Sequence, residues 1–267
     1  MTVPTLNTRM KGKTYLVTGS SSGIGRAIAI ELAGRGARVL LHGRRPSERM
    51  AAVQAEVESK GSAVATLFCD FTKTDSLSEF VESAWSVHDG IDGWINNAGG
   101  DVLTGDWPSR SMGEKLHYLW QVDVAATLYL SRAIGKKMIQ RFVETNSSVS
   151  GASNIINMGW DQATQGMAGD SGELFATTKG AIMAMSRSLA QSLAPAVRVN
   201  CLAPGWIQTQ WGEQANAYWS ERASRESLMN RWGNPTDVAL VAAFLCSDEA
   251  RFISGQTFPV NGGFKFA

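Results

Sequence analysis

Thr18-Gly19-Ser20-Ser21-Ser22-Gly23-Ile24-Gly25 decides how this chain is read. The apolar run 14–17 leads into it as a buried strand, and a helical pattern over 26–35 leads out. Strand, glycine-rich turn and helix, in that order, make a phosphate-binding corner. The first amides of a helix have no intrahelical partner and carry partial positive charge, so they attract phosphate. Gly19, Gly23 and Gly25 lack a Cβ, which lets a pyrophosphate approach the backbone. A tight turn that binds nothing is the plain alternative. The wide spacing between Gly19 and Gly23, with no Lys-Ser/Thr after Gly25, favours a dinucleotide over a P-loop.

Outward from that corner the chain alternates. Further strands are expected at 37–42, 63–69, 93–95, 154–158, 197–201 and 257–260. Helices are expected at 48–60, 76–88, 111–143 with a break near Tyr118, 173–193, and 237–246 capped by Thr236 or Asp237. Such alternation means βαβ units. The expected fold is α/β: a doubly wound, Rossmann-like parallel sheet with helices on both faces, in one domain over 1–267. The N-terminal half would bind cofactor and the C-terminal half substrate. In such sheets the ligand crevice lies at the carboxyl ends of the strands. Thr18, His42, Asp70, Asn96, Gly159 and Ala203 all fall at such ends.

Composition narrows the partners. Lys and Arg total 25 against 24 Asp and Glu, so charge gives no case for nucleic acid or an anionic membrane. Cys69, Cys201 and Cys246 are odd in number and dispersed, which suggests a reducing compartment without a disulfide frame. His42, His88 and His117 show no ligand spacing, so no metal is expected. The longest apolar stretch, 239–246, is too short to span a bilayer, and 1–12 lacks the core of a signal peptide. A cytoplasmic protein acting on a small molecule is the expectation.

The segments 18–25, Asn96-Asn97-Ala98-Gly99, Lys179 within a helix, and Pro204-Gly205-Trp206-Ile207-Gln208-Thr209 together resemble the short-chain dehydrogenase/reductase family. Ser254-Gly255-Gln256 and Val260-Asn261-Gly262-Gly263 fit it too, so the resemblance runs from about 13 to 263. It implies a nicotinamide cofactor and usually a homotetramer. It places Thr18, Gly19, Ser21, Gly23, Ile24 and Gly25 around the cofactor phosphates, and Asn97, Ala98 and Gly99 beside the adenosine ribose and the central sheet. Asn96 is also placed on the cofactor side. Pro204, Gly205, Ile207 and Thr209 would wrap the nicotinamide. Asp70 resembles the residue that contacts the adenine; a strand-end turn residue is its plainer reading. An NAD enzyme usually ends its second strand in Asp or Glu. Here that place is Gly43, followed by Arg44 and Arg45, whose donor forks suit a 2′-phosphate. The cofactor expected is NADP(H). Two solvated arginines are the alternative, although positive charge at a helix start opposes the macrodipole.

The resemblance breaks at the catalytic positions. The family acid is a tyrosine four residues before the lysine; here Phe175 precedes Lys179. The family serine falls at Gly159-Trp160-Asp161, and the family asparagine at Asp123. Asp is a poor choice inside an apolar helix unless paired, and Lys179 would pair it. Lys179, Asp123 and Asp161 are therefore the candidate catalytic groups, Asp123 as the holder of a proton-delivering water. The likeness extends to the 2,4-dienoyl-CoA reductases, which imply reduction of a conjugated enoyl or dienoyl thioester. The alternative is a catalytically silent NADP(H)-binding sensor or partner subunit. Trp206, Trp211, Tyr218 and Trp219 suggest a lid over 206–232, or equally the packing of a small subdomain. Leu128, Ile134 and Met138 on one helix and Ile182, Met185 and Leu189 on another exceed one core stripe, which suggests subunit contacts.

Overall fold

Seven parallel strands form one sheet in the order β3-β2-β1-β4-β5-β6-β7 in the computed structural model, which describes residues 10–209, 212 and 217–265. The strands are β1 (Thr14–Val17), β2 (Arg38–Gly43), β3 (Val64–Phe68), β4 (Gly93–Asn96), β5 (Ser153–Met158), β6 (Val197–Pro204) and β7 (Thr257–Val260). The helices are α1 (Gly23–Gly34), α2 (Glu48–Ser59), α3 (Leu77–Ser86), α4 (Met112–Leu119), α5 (Ala126–Glu144), α6 (Asp170–Leu193), α7 (Ala217–Glu226) and α8 (Pro235–Cys246). The strand order reverses between β1 and β4, which opens the crevice of a doubly wound sheet there.

Side chains alternate across the sheet and so feed two cores. Tyr15, Val17 and Leu41 pack with Ile28, Leu32 and Val238 of α1 and α8. Leu16 and Leu40 turn the other way, onto Leu77, Leu130, Ile134 and Leu193 of α3, α5 and α6. Each such side chain contributes about 1.5–3 kcal/mol on burial, which holds the strand ends in place for the crevice.

A polar chain runs through this apolar frame. Trp94 Nε1 donates to Asn96 Oδ1, and Asn96 Nδ2 donates to Ser131 Oγ and Asn157 Oδ1. Asn157 Nδ2 donates to Ser186 Oγ. These bonds tie β4, β5, α5 and α6 together behind the crevice, and every member is buried.

Several boundaries differ from the sequence pattern. The helix expected over 111–143 breaks at Trp120, and a π-helical stretch, Trp120–Ala125, joins α4 to α5. Its extra residue per turn resets the face on which Asp123 points; such bulges recur at functional sites. α6 begins at Asp170 instead of 173, because Gly169 turns the chain at φ +96° and Asp170 and Glu173 suit the helix N-terminus. α8 is capped by Asn234, not Thr236 or Asp237. Asn234 and Asp237 form a capping box around Pro235, which needs no N–H donor at that place. Ile134, Met138, Ile182 and Leu189 are buried in the chain's own core, so they are not surplus to it; Leu128 is exposed. Trp211 lies outside the described residues.

Candidate active site

Two adjoining cavities fill the crevice. The first, about 690 Å³, runs from Ser21 and Gly23 past Arg44 and Asp70 to Asn97 and Gly99. The second, about 490 Å³, is walled by Met158, Trp160, Phe175, Lys179, Trp206 and Trp219. Ile24, Asn97 and Thr209 line both, so the two are continuous at the end of α1.

The glycine corner is built by close approach. Gly19 takes φ +62°, and a Cβ there would lie 2.8 Å from Ala98 Cα. At Gly25 a Cβ would meet the Gly19 carbonyl oxygen at 2.3 Å and Asn97 Nδ2 at 2.4 Å. Thr18 is buried beneath the corner; its Oγ1 accepts the N–H groups of Asn97 and Ala98. Asn97 Nδ2 donates to the carbonyls of Thr18 and Gly19. Thr18 and Asn97 thus lock β1 to β4, while Asn97, Ala98 and Gly99 reach the cavity wall. Asn96 faces into the buried polar chain instead.

His42, which the sequence pattern places only at a strand end, also joins this corner. Its Nδ1 accepts the Gly19 N–H at 3.1 Å, and Nε2 lies 3.0 Å from the Cys69 carbonyl oxygen. Those partners assign the proton to Nε2. The ring stacks on Phe71 at 4.4 Å, and burial pushes its pKa down to about 4. A histidine ending a buried strand was the available signal.

Gly43 ends β2 against Met50: a Cβ would lie 2.8 Å from Met50 Cε. A carboxylate at 43 would have no room without a shift of Met50. Arg44 stands on the wall of the larger cavity, has no ion-pair partner among the described residues, and is exposed; Arg45 is exposed and off the wall. Burial would raise the Asp70 carboxyl, but hydrogen bonds from Thr72 and the nearby Arg44 hold it below the usual range.

Lys179 and Asp123 meet. Lys179 Nζ lies 2.8 Å from Asp123 Oδ2, and the Gly100 N–H donates to Asp123 Oδ1 at 2.6 Å. The Asp123 side chain is fully buried, whereas 15% of the Lys179 side chain is exposed, into the smaller cavity. Gly99 packs against both, 3.4–3.5 Å from a built Cβ. Phe175, one turn before Lys179, sits edge-on to Trp160 at 6.2 Å.

Asp161 stands apart. It is buried on neither cavity wall, behind Gly205, and Asn261 Nδ2 donates to its Oδ2 at 3.1 Å. Its Oδ1 has no hydrogen-bond partner among the described residues, and burial pushes the carboxyl up to about 6. Pro204, Gly205, Ile207 and Thr209 line the smaller cavity. Trp206 packs near Trp219 and Trp232, and its Nε1 donates to Glu226. Arg222 lies over Trp206 and Trp219, so α7 forms an aromatic cover beside the mouth.

A glycine corner at a sheet's switch point, opening into a second cavity with a paired lysine, defines the nucleotide-binding α/β class. Residues 19–265 match the sequence family described as Enoyl-(Acyl carrier protein) reductase. The 3-oxoacyl-(acyl-carrier-protein) reductase of Aquifex aeolicus is 33% identical over 96% of this chain and 98% of its own length. Dehydrogenase/reductase SDR family member 4 of Sus scrofa is 32% identical over 95% and 88%. Among crystal structures, a 7α-hydroxysteroid dehydrogenase complexed with NADH and 7-oxo glycochenodeoxycholic acid superposes with TM-score 0.85, 27% identity and 98% coverage of each chain. An NADP-bound 3-oxoacyl-(acyl-carrier-protein) reductase of Agrobacterium tumefaciens gives TM-score 0.84, 28% identity, and 99% and 98% coverage. The chain belongs to the short-chain dehydrogenase/reductase family and is an oxidoreductase. No helix among the described residues is long and apolar enough to cross a membrane.

Proposed function

We propose that this protein is an NADP(H)-dependent reductase of a conjugated carbonyl compound of the enoyl or dienoyl thioester kind. The observation that carries the reading is the Lys179–Asp123 pair, 2.8 Å apart, with Lys179 and Phe175, one turn away, on the wall of the smaller cavity.

The residues present fit the cofactor. The glycine corner is packed too closely for a Cβ at 19 or 25, which keeps its backbone on the wall of the larger cavity, and Arg44 stands on that wall with no carboxylate at 43 to repel a 2′-phosphate. Gly19, Ser21, Gly23 and Ile24 would hold the phosphates, Asp70 the adenine, and Ile207 and Thr209 the nicotinamide. NADPH, when bound, supplies the hydride.

The chain's own part is electrostatic. Phe175 has no proton to give, so this site lacks the phenol that family members use on alcohols and ketones. Lys179 brings a positive charge to the cavity, where a carbonyl oxygen gains negative charge as a conjugated system is reduced. Asp123 reaches neither cavity, so it is a positioning residue: with one oxygen on Gly100 N–H and one on Lys179, it aims the ammonium. The proton that completes the reduction would come from water, which the open mouth of the smaller cavity admits.

The family model's description as an enoyl reductase supports the conjugated substrate. We also propose a homotetramer. Trp120, Leu128 and Tyr129 are exposed on one helical region, and Leu240, Phe244 and Phe252 near α8. A cytoplasmic location fits the three unpaired, buried cysteines.

The loss of a proton at Phe175 favours one second reading, a silent NADP(H)-binding subunit. NADPH consumption on crotonyl- and hexadienoyl-thioesters separates the two. Turnover there, with negligible oxidation of secondary alcohols by NADP, supports the reductase. NADPH binding without turnover of any of these supports the silent subunit.

A further inference from the structure

The smaller cavity has a second polar point. Ser171, Phe175 and Lys179 fall at successive turns of α6 and all line that cavity. Eight residues of helix separate Ser171 from Lys179, roughly 12 Å at 1.5 Å per residue. Between them lies the edge-to-face pair Trp160 and Phe175.

Of the other polar side chains on this wall, Asn97 is spent on the carbonyls of Thr18 and Gly19 and Lys179 is held by Asp123, while Thr209 lies at the glycine corner where the two cavities join, away from the first turn of α6. The Ser171 hydroxyl has no hydrogen-bond partner among the described residues and is half-buried in the cavity wall. Its place is fixed from behind: a Cβ on Gly172 would lie 2.3 Å from the Met167 carbonyl oxygen, so the preceding loop seats directly on this turn. Asp170 and Glu173, exposed on the same turn, offset the positive end of the helix and so disfavour an anionic group there.

We infer that Ser171 is a specificity-determining residue: it hydrogen-bonds an uncharged polar group at the far end of a flat, elongated substrate whose conjugated carbonyl meets Lys179. The inference rests on the reading of Lys179 given above. A hydrogen bond of about 3 Å at each end leaves roughly 6 Å between the ligand's two polar atoms if all four lie in line, and up to about 9 Å where the hydrogen bonds meet it at an angle. An aromatic or polyene body of that length fits between Trp160, Phe175 and the tryptophans of the mouth.

The test uses two enones that differ in one hydroxyl, 4-(4-hydroxyphenyl)but-3-en-2-one and 4-phenylbut-3-en-2-one. Each is titrated by calorimetry into the full chain saturated with NADP, and separately assayed with NADPH. The expected result is about tenfold tighter binding of the hydroxylated compound, the size of one net hydrogen bond. Ser171→Ala should reduce that preference to within about twofold and leave NADP binding unchanged. Ser171→Thr, which keeps a hydroxyl, should restore it. A preference that persists in Ser171→Ala, no preference in the wild type, or failure of both compounds to bind overturns the inference. Binding with the preference intact but no NADPH consumption upholds Ser171 and instead counts against the proposed reaction.

Discussion

Breaking the Lys179–Asp123 pair is the perturbation whose size the structure sets most directly. The pair is 2.8 Å apart, with Asp123 fully buried and Lys179 15% exposed. At an effective dielectric near 20 the gross attraction is about 6 kcal/mol. Desolvation offsets part of it, and the exposed edge of Lys179 lets water recover part of what a cut would lose. Removal of one partner from a buried pair still costs about 3 kcal/mol, because the other charge stays behind. Asp123→Ala should therefore lower Tm by roughly 6–12 °C. It also frees the Gly100 N–H, which Asp123→Asn would keep satisfied through its carbonyl oxygen. Lys179→Met alone leaves a buried carboxylate and should cost a similar amount. The double variant Asp123→Ala/Lys179→Met leaves neither charge, so its loss should fall short of the sum by about 2 kcal/mol. Chemical denaturation of the four proteins measures this coupling. In the same set, Asp123→Ala should slow turnover of an active substrate by about a hundredfold with NADPH affinity nearly unchanged. A coupling below about 0.5 kcal/mol, or wild-type turnover in Asp123→Ala, would refute the positioning role.

Other expectations follow from single contacts. Arg44→Ala should weaken NADPH binding about tenfold or more and leave NADH binding unchanged, with the difference shrinking as salt rises; calorimetry at two ionic strengths reads this. Burial raises the Asp161 carboxyl to about 6, so the native state holds a proton that the unfolded chain releases near 4. Stability from this group is therefore full below about pH 4 and declines as pH rises through 6, and Asp161→Asn should raise Tm at pH 8 but not at pH 4. His42 runs the opposite way: burial lowers it to about 4, so its stabilisation is full above about pH 6.5 and is lost as pH falls toward 4. His42→Gln should flatten that acid limb in a Tm-against-pH series. Sedimentation should show a tetramer at micromolar concentration, and a monomer would contradict the exposed Leu128 and Phe252 faces as subunit contacts.

The fold was legible because its signals are local. Apolar runs such as 14–17 and 37–42, alternating with helical patterns, suit strands of a sheet covered on both faces, and the glycine corner marks where the crevice opens. The Asp123–Lys179 encounter was also readable, since a lone Asp amid Val122 and Val124 asks for a cation. Other features depend on three-dimensional packing and leave no periodic trace. The π-helical turn at Trp120–Ala125 resembles ordinary helix in sequence. That Asp123 stops behind Lys179 without lining either cavity, and that Asp161 meets Asn261, depends on how loops from distant strands close. Ile134, Met138 and Leu189 of α5 and α6 look surplus on a single helix and prove to be core because the two helices share them, whereas Leu128 stays exposed. His42 was placed at a strand end, but its bond to Gly19 spans two strands and is invisible along the chain.

The central claim is that the conjugated double bond, and not the carbonyl, is reduced. NADPH carrying deuterium at nicotinamide C4 should be turned over with hexadienoyl-thioester or a conjugated enone, and the product located by NMR. The account predicts deuterium on a carbon of the former conjugated system, in a product that keeps its carbonyl. Deuterium on a carbinol carbon would show that the site reduces carbonyls without the phenol that Phe175 lacks, and would contradict it.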